Sequence, residues 1–147
     1  MKEIQNPFLV NLQYLFENEF RIYLIMDYFP WGDLYSHWKK LDTFTEEEAK
    51  FIIAQIAIAL GSLHKQNIIH RDLKPENILF DKNGYCYLTD FGLSKVLHSA
   101  DETSYSTVGT PEYSAPEIIN KSSHTFSIDW WALGVLTFEL IFGTLTF

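Results

Sequence analysis

With 147 residues, 47% of them hydrophobic and 16% aromatic, the chain is long enough for one compact core and has none of the marks of disorder. Lys and Arg number 11 against 19 Asp and Glu, a net charge of −8, which argues against nucleic acid as a partner because a basic face is needed to neutralise phosphates. One cysteine, Cys86, excludes an internal disulfide, and no Cys/His group has zinc spacing. This suits a reducing compartment, so a cytoplasmic location is expected, with the nucleus as the alternative. Residues 1–7 hold no apolar signal core. The apolar tracts at 51–63 and 130–147 are interrupted by Gln55 and Glu139, so no membrane span is expected.

Residues 8–29 read as two strands. The first, 8–16, alternates roughly with period two, and Ile22-Tyr23-Leu24-Ile25-Met26 is a β-prone apolar run, with a turn at Glu17-Asn18-Glu19. Pro30 and Gly32 end the second strand, leaving 27–32 as an extended connector. A short helix over 33–41 follows, with Asp33 at its N-cap. Thr45-Glu46-Glu47-Glu48 has the form of a capping box, and its glutamates suit the positive end of a helix dipole. The helix they open carries Phe51, Ile52, Ile53, Ile56, Ile58, Leu60 and Leu63, apolar on most of its circumference, which predicts a buried central helix.

That helix leads through Asn67-Ile68-Ile69 into His70-Arg71-Asp72-Leu73-Lys74-Pro75-Glu76-Asn77. An Asp can accept a hydroxyl proton, a Lys beside it can steady a transferring phosphoryl group, and an Asn oxygen can hold Mg²⁺. Short strands at 78–80 and 85–88 come next, joined by Asp81-Lys82-Asn83-Gly84, where Asn-Gly offers the positive φ values of a tight hairpin. The second runs into Thr89-Asp90-Phe91-Gly92. Residues 94–108 are polar and rich in Ser and Thr, the composition of a mobile loop that can be switched. Gly109-Thr110-Pro111-Glu112-Tyr113-Ser114-Ala115-Pro116-Glu117 closes the loop, and residues 127–142 predict a long apolar helix with Asp129 near its start. His37, His64, His98 and His124 have no partner spacing and read as surface or packing residues. Cys86 reads as a core or edge side chain of its strand, and Trp130 and Trp131 as packing anchors.

Taken singly, His-Arg-Asp fits a capped turn with a core histidine, and Asp-Phe-Gly needs no metal. Their order, with a hairpin between them and a polar loop before Ala-Pro-Glu, is far more specific. On these motifs the chain resembles the catalytic domain of eukaryotic protein kinases, matching H-R-D-L-x-x-x-N at 70–77, D-F-G at 90–92 and A-P-E at 115–117. Pro7-Phe8-Leu9-Val10, Met26-Asp27-Tyr28 with Gly32-Asp33-Leu34, Gly109-Thr110-Pro111-Glu112-Tyr113 and Asp129-Trp130-Trp131-Ala132-Leu133-Gly134-Val135-Leu136 make it similar to the AGC group throughout its length. Lys74 and Thr110 resemble serine/threonine specificity.

The resemblance implies an α+β, protein-kinase-like fold truncated at both ends: the end of the small-lobe sheet over 1–26, a hinge over 27–32, and a mainly helical large lobe over 33–147. It implies transfer of the γ-phosphoryl of ATP to a Ser or Thr hydroxyl of a protein substrate. Asp72 would be the base, Lys74 would neutralise the γ-phosphate, and Asn77 and Asp90 would hold Mg²⁺. Arg71 would pair with an activation-loop phosphate, together with Lys95, and Asp129 would brace the catalytic loop. On the nucleotide side, Met26 would be the gatekeeper, the backbone of Asp27 and Phe29 would face adenine, Asp33 the ribose, and Leu79 the floor. Glu76, grouped with them, sits where such kinases often meet a basic residue of the substrate. AGC spacing puts the phosphorylated hydroxyl at Ser106, with Thr107 as the alternative, and implies an upstream activating kinase.

The sequence contains no Gly-rich phosphate loop and no strand Lys of the V-A-I-K type. The chain by itself is therefore expected to be inactive, and Glu117 is expected to lack the Arg that usually pairs with it and to be a buried, unpaired carboxylate. Two readings stand: a piece of an active ATP-dependent kinase, or a non-catalytic interaction or decoy module.

Overall fold

The computed structural model describes Ile4, residues 6–99 and residues 102–144. The outer ends of the expected segments 1–26 and 33–147, at Met1 and Phe147, lie outside the described residues. Two helices form the centre. Helix α2 (Glu46–His64) begins in a complete capping box, in which the Thr45 hydroxyl accepts from the Glu48 N–H at 3.3 Å and Glu48 accepts from the Thr45 N–H at 2.9 Å. Helix α4 (Ser127–Phe142) ends at Gly143, whose left-handed φ of 71° lets its N–H return to the Glu139 carbonyl. Ala49, Ile52, Ile56, Leu60 and Leu63 of α2 share one apolar cluster with Ala132, Leu133, Leu136 and Leu140 of α4. Helix α2 is less enclosed than its composition predicts, because Phe51 and Ile58 are half exposed on its outer face.

Helix α1 (Leu34–Leu41) starts, as expected, at Asp33, whose side chain accepts from the Ser36 N–H at 2.7 Å. The hairpin of β4 (Ile78–Phe80) and β5 (Cys86–Leu88) also stands, though Tyr85 falls in the loop. The expected tight Asn-Gly turn does not form. Gly84 has positive φ but Asn83 does not, because the Asp81 carboxylate accepts from the Asn83 N–H at 2.8 Å and the Tyr85 N–H at 2.9 Å and closes a longer loop. Buried Gln55 of α2 ties this hairpin down, accepting from the Cys86 N–H at 3.0 Å and donating to the Phe51 carbonyl at 2.8 Å.

At the front, β1 (Leu12–Glu17) pairs antiparallel with β2 (Ile22–Met26). The first strand thus begins later than its alternation suggests. Phe8, Leu9 and Val10 instead pair with β5: the Leu88 N–H donates to the Phe8 carbonyl at 2.9 Å and the Val10 N–H to the Leu88 carbonyl at 3.0 Å. Leu9 and Val10 are buried there, so core contact overrides local periodicity. Among the described residues, the apolar side chains of β2 remain exposed.

The stretch expected to be mobile has fixed points. Strand β3 (Ile68–Ile69) pairs with β6 (Lys95–Val96), and Ser104 pairs through its backbone with His124. Helix α3 (Pro116–Ile119) then packs Ile118 with Ile69, Leu97 and Ile128 in a second, smaller cluster. Glu117 is not the buried, unpaired carboxylate expected: it is only half-buried, and the Ser127 hydroxyl donates to it at 3.1 Å. No helix among the described residues is long and apolar enough to cross a membrane.

Thr45→Ala is expected to lower the unfolding free energy by about 1 kcal/mol, the usual worth of an N-cap hydroxyl. Urea denaturation at neutral pH measures it, and an unchanged midpoint would show that the capping box does not anchor α2.

Candidate active site

The loop between β3 and β4 is built around acceptors supplied from elsewhere. Asp129 on α4, only 1% exposed, accepts the His70 N–H on Oδ2 and the Arg71 N–H on Oδ1, each at 2.9 Å. Arg71 has a φ of 72°, a left-handed conformation that a non-glycine residue adopts only when its surroundings hold it there. His70 is fully buried, and its Nε2 lies 3.0 Å from the Thr89 carbonyl. Burial pushes its pKa down despite the charge of Asp129, leaving a neutral ring. Nε2 must carry the proton toward that carbonyl, so Nδ1 is free to accept from the Asp72 N–H at 3.4 Å.

Asp72, Lys74, Asn77 and Thr110 form one hydrogen-bonded group. Asp72 Oδ1 accepts from the Thr110 hydroxyl at 2.7 Å. Its Oδ2 accepts from Lys74 Nζ at 2.9 Å and from Asn77 Nδ2 at 3.2 Å. Lys74 also donates to Thr110 Oγ1 at 3.0 Å, and Asn77 Nδ2 to the Asp72 carbonyl at 2.8 Å. Burial pushes the Asp72 carboxyl up. The hydrogen bonds from Thr110 and Lys74, the Lys74 charge and the Asn77 bond outweigh burial and hold the group below the usual carboxylate range.

Asp90 joins this loop through its backbone neighbours. The Thr89 N–H donates to the Asn77 carbonyl at 2.9 Å, and the Phe91 ring sits edge-on to His70 at 5.4 Å. Asp90 itself is exposed, with φ 59°, and its Oδ1 accepts from the Gly92 N–H at 3.1 Å. The Arg71 guanidinium donates from Nε to the Leu93 carbonyl and from Nη1 to Ser106 Oγ at 2.5 Å. Ser106 also bonds the buried Ser104 hydroxyl at 3.1 Å, whereas Lys95 pairs with Glu102 at 3.4 Å. Thr107 is exposed.

A second group gathers around the connector. Phe29 stacks obliquely on Tyr87 at 4.8 Å, Tyr87 is in register with Leu79, and Leu79 bridges to Asp33. The Phe80 N–H donates to the Gly32 carbonyl at 2.9 Å, which closes the connector onto β4. Met26 and Asp27 are exposed at the end of β2, and Asp27 accepts from Gln13 at 3.2 Å. Asp33, expected at the ribose, also caps α1. Glu76 is exposed on the 3₁₀ turn Pro75–Asn77.

Two partners escape the sequence reading. His64 is no bystander, since its Nε2 lies 2.8 Å from Asp129 Oδ2. The Tyr113 hydroxyl donates to buried Glu139 in a short hydrogen bond. Only Glu139 left a trace in the sequence, as a carboxylate inside an apolar helix, which requires a buried donor. Burial pushes the Glu139 carboxyl up; the Tyr113 bond opposes this and the Glu76 charge adds to it. Burial likewise raises the Tyr113 hydroxyl, which stays protonated as a donor.

The signs of these shifts are opposite in effect. Asp72, with a lowered folded pKa, adds stability that is complete above its unfolded value and lost as pH falls. Glu139, with a raised one, adds stability that is complete below its ordinary 4.5 and lost as pH rises through its folded value. Glu139→Gln is therefore expected to gain stability relative to the parent as pH increases above 4.5. Urea unfolding of both proteins across pH measures the difference, and a flat difference would contradict the assignment.

A family model for the protein kinase domain matches residues 1–147. Ribosomal protein S6 kinase alpha-6 of Danio rerio is 51% identical over 145 residues, 99% of this chain and 20% of that protein. Ribosomal protein S6 kinase alpha-3 of Homo sapiens shows the same identity and coverage, and human ribosomal protein S6 kinase alpha-2 is 50% identical over 147 residues, 100% of this chain and 20% of its own length. The chain thus spans about a fifth of the length of these curated relatives. It belongs to the protein kinase family, and within that family to the AGC-like serine/threonine kinases.

Proposed function

We propose that the protein carrying this chain transfers the γ-phosphoryl group of ATP to a Ser or Thr hydroxyl of a protein substrate. The observation that carries this reading is the single group in which Asp72 is hydrogen-bonded by Lys74, Asn77 and Thr110. A carboxylate kept ionised by those donors is suited to orient a substrate hydroxyl and accept its proton. Lys74, one side chain away, is suited to neutralise charge on the transferring group. Because Asn77 donates through Nδ2, its carbonyl oxygen faces away from Asp72, and Asp90 offers an exposed carboxylate. Such hard oxygen donors fit Mg²⁺, which keeps most of its shell for water and phosphate oxygens. Bound there, Mg²⁺ would neutralise phosphate charge. Met26, Asp27, Phe29, Asp33 and Leu79 are assigned to the adenosine side and Glu76 to a basic substrate residue.

Ser106 is the proposed site of activating phosphorylation by an upstream kinase. Its support is the bond from Arg71, the residue immediately before the base. A phosphate there would form charge-assisted bonds with that guanidinium and order residues 102–110.

In the full protein with Mg²⁺ and ATP, Asp72→Asn is expected to lower kcat for a Ser/Thr peptide by roughly 10²–10⁴-fold with little change in KM for ATP. Parent-like turnover in that variant would refute the base. Mass spectrometry of the activated protein is expected to place phosphate on Ser106, and Ser106→Ala to lose the activation. Phosphate on Thr107 with full activity in Ser106→Ala would move the site.

A further inference from the structure

We propose that His124 is a phosphate ligand: its buried, unpartnered imidazole Nε2 completes, with Arg71 and Ser104, a pocket for a phosphoryl group on Ser106. This rests on reading Ser106 as the site of modification. His124 lies between α3 and α4, and it meets residues 102–108 through the backbone. Its N–H donates to the Ser104 carbonyl at 2.9 Å, and the Ser104 N–H donates to its carbonyl at 2.9 Å. Residues that exchange both backbone bonds lie directly opposite each other, about 5.5 Å apart at Cα, with their side chains on one face of the ribbon. The imidazole therefore shares the face from which the Ser104 hydroxyl reaches Ser106 Oγ at 3.1 Å. Arg71 Nη1 approaches the same oxygen at 2.5 Å.

The ring is 3% exposed and Ser104 1%. Nδ1 lies 3.4 Å from the Ser122 carbonyl, but Nε2 has no hydrogen-bond partner among the described residues. A buried polar atom left unpaired costs free energy that a phenyl ring in the same place would not. A phosphate on Ser106 gives that atom a partner. The γ-phosphoryl of ATP replaces the Ser106 hydroxyl proton, ADP and that proton leaving, and three terminal oxygens, all strong acceptors, then face the group. Among the described residues, Arg71 is the cation bonded to Ser106, since Lys95 pairs with Glu102. The Arg71 Nε is already committed to the Leu93 carbonyl, so the guanidinium fills only part of the phosphate shell. Ser104 Oγ–H and His124 Nε2–H supply neutral donors from the buried side. The long Nδ1 contact is a weak restraint on the tautomer, so the ring is free to carry its proton on Nε2.

The test installs phosphoserine genetically at position 106 of the full protein and compares His124→Phe with His124→Gln. Phe keeps a ring in the buried site and loses both nitrogens, whereas the Gln side-chain nitrogen falls where Nε2 stood. Removal of the phosphate by a serine phosphatase requires the segment to open, so it reads how firmly the phosphate is held. His124→Phe is expected to be dephosphorylated roughly 10-fold faster than the parent, the worth of one hydrogen bond to a charged group, and His124→Gln to stay close to the parent. Phosphorylation is expected to slow hydrogen exchange across residues 102–108 in the parent and in His124→Gln, and to do so far less in His124→Phe. Without phosphate, all three proteins are expected to exchange alike. Parent-like dephosphorylation of His124→Phe, equal behaviour of Gln and Phe, or faster exchange in His124→Phe with and without phosphate would each overturn the role, the last by showing that the ring only supports the strand pairing. An activated protein that carries no phosphate on Ser106 would refute the proposed activation site, while the installed phosphoserine still decides what His124 does.

Discussion

The loop at 70–77 hangs from one buried carboxylate. Asp129 projects from the start of α4 into a space where both of its oxygens meet N–H donors, and two of those belong to consecutive residues of the loop. Removing a charge from water is costly unless it is fully hydrogen-bonded, so the carboxylate is a strict template: the loop matches it or the charge stays unpaid. Asp72, Lys74 and Asn77 follow within six residues of that match. Helix α4 is itself fixed against α2 by the larger apolar cluster, so the rigid core and the polar site share one scaffold.

The polar residues placed inside apolar helices carry the remaining architecture. Gln55 of α2 satisfies the Cys86 N–H of the hairpin, and Glu139 of α4 takes the Tyr113 hydroxyl from the segment at 109–117. Each links a helix to a piece of chain that also packs into the larger apolar cluster, through Cys86 and Leu88 in one case and Tyr113 in the other. Gly109 adds a steric link of the same kind. At its φ of 110° a Cβ would stand 2.6 Å from the Arg71 carbonyl, so the segment at 109–117 rests directly on the loop at 70–77.

Local signals were legible wherever the physics is local. The capping box at Thr45, the N-cap at Asp33 and the extent of α4 need only neighbours within a few positions, and all three stand as read. The ordered motifs at 70–77, 90–92 and 115–117 also carried the family. What stayed hidden depends on residues far apart in the chain. His64 reaches Asp129 across 65 positions, with no spacing rule to connect a helix end to a helix start. Residues 8–10 alternate like part of β1, yet they bury themselves beside β5 because Leu88 offers free backbone groups there. The hairpin turn went astray for a subtler reason: Asn-Gly suits a two-residue turn, but the Asp81 carboxylate competes for the same backbone donors and wins.

The arrangement around Asp72 limits how a further group can approach it. A carboxylate offers about four lone-pair positions, two on each oxygen. Lys74 and Asn77 occupy both on Oδ2, and Thr110 takes one on Oδ1. A single acceptor position is left on Oδ1, with a direction set by the Thr110 hydroxyl beside it. On the proposed reading of Asp72 as the base, an incoming hydroxyl has one approach rather than a cone of them, with the Thr110 hydroxyl as the gauge of its alignment.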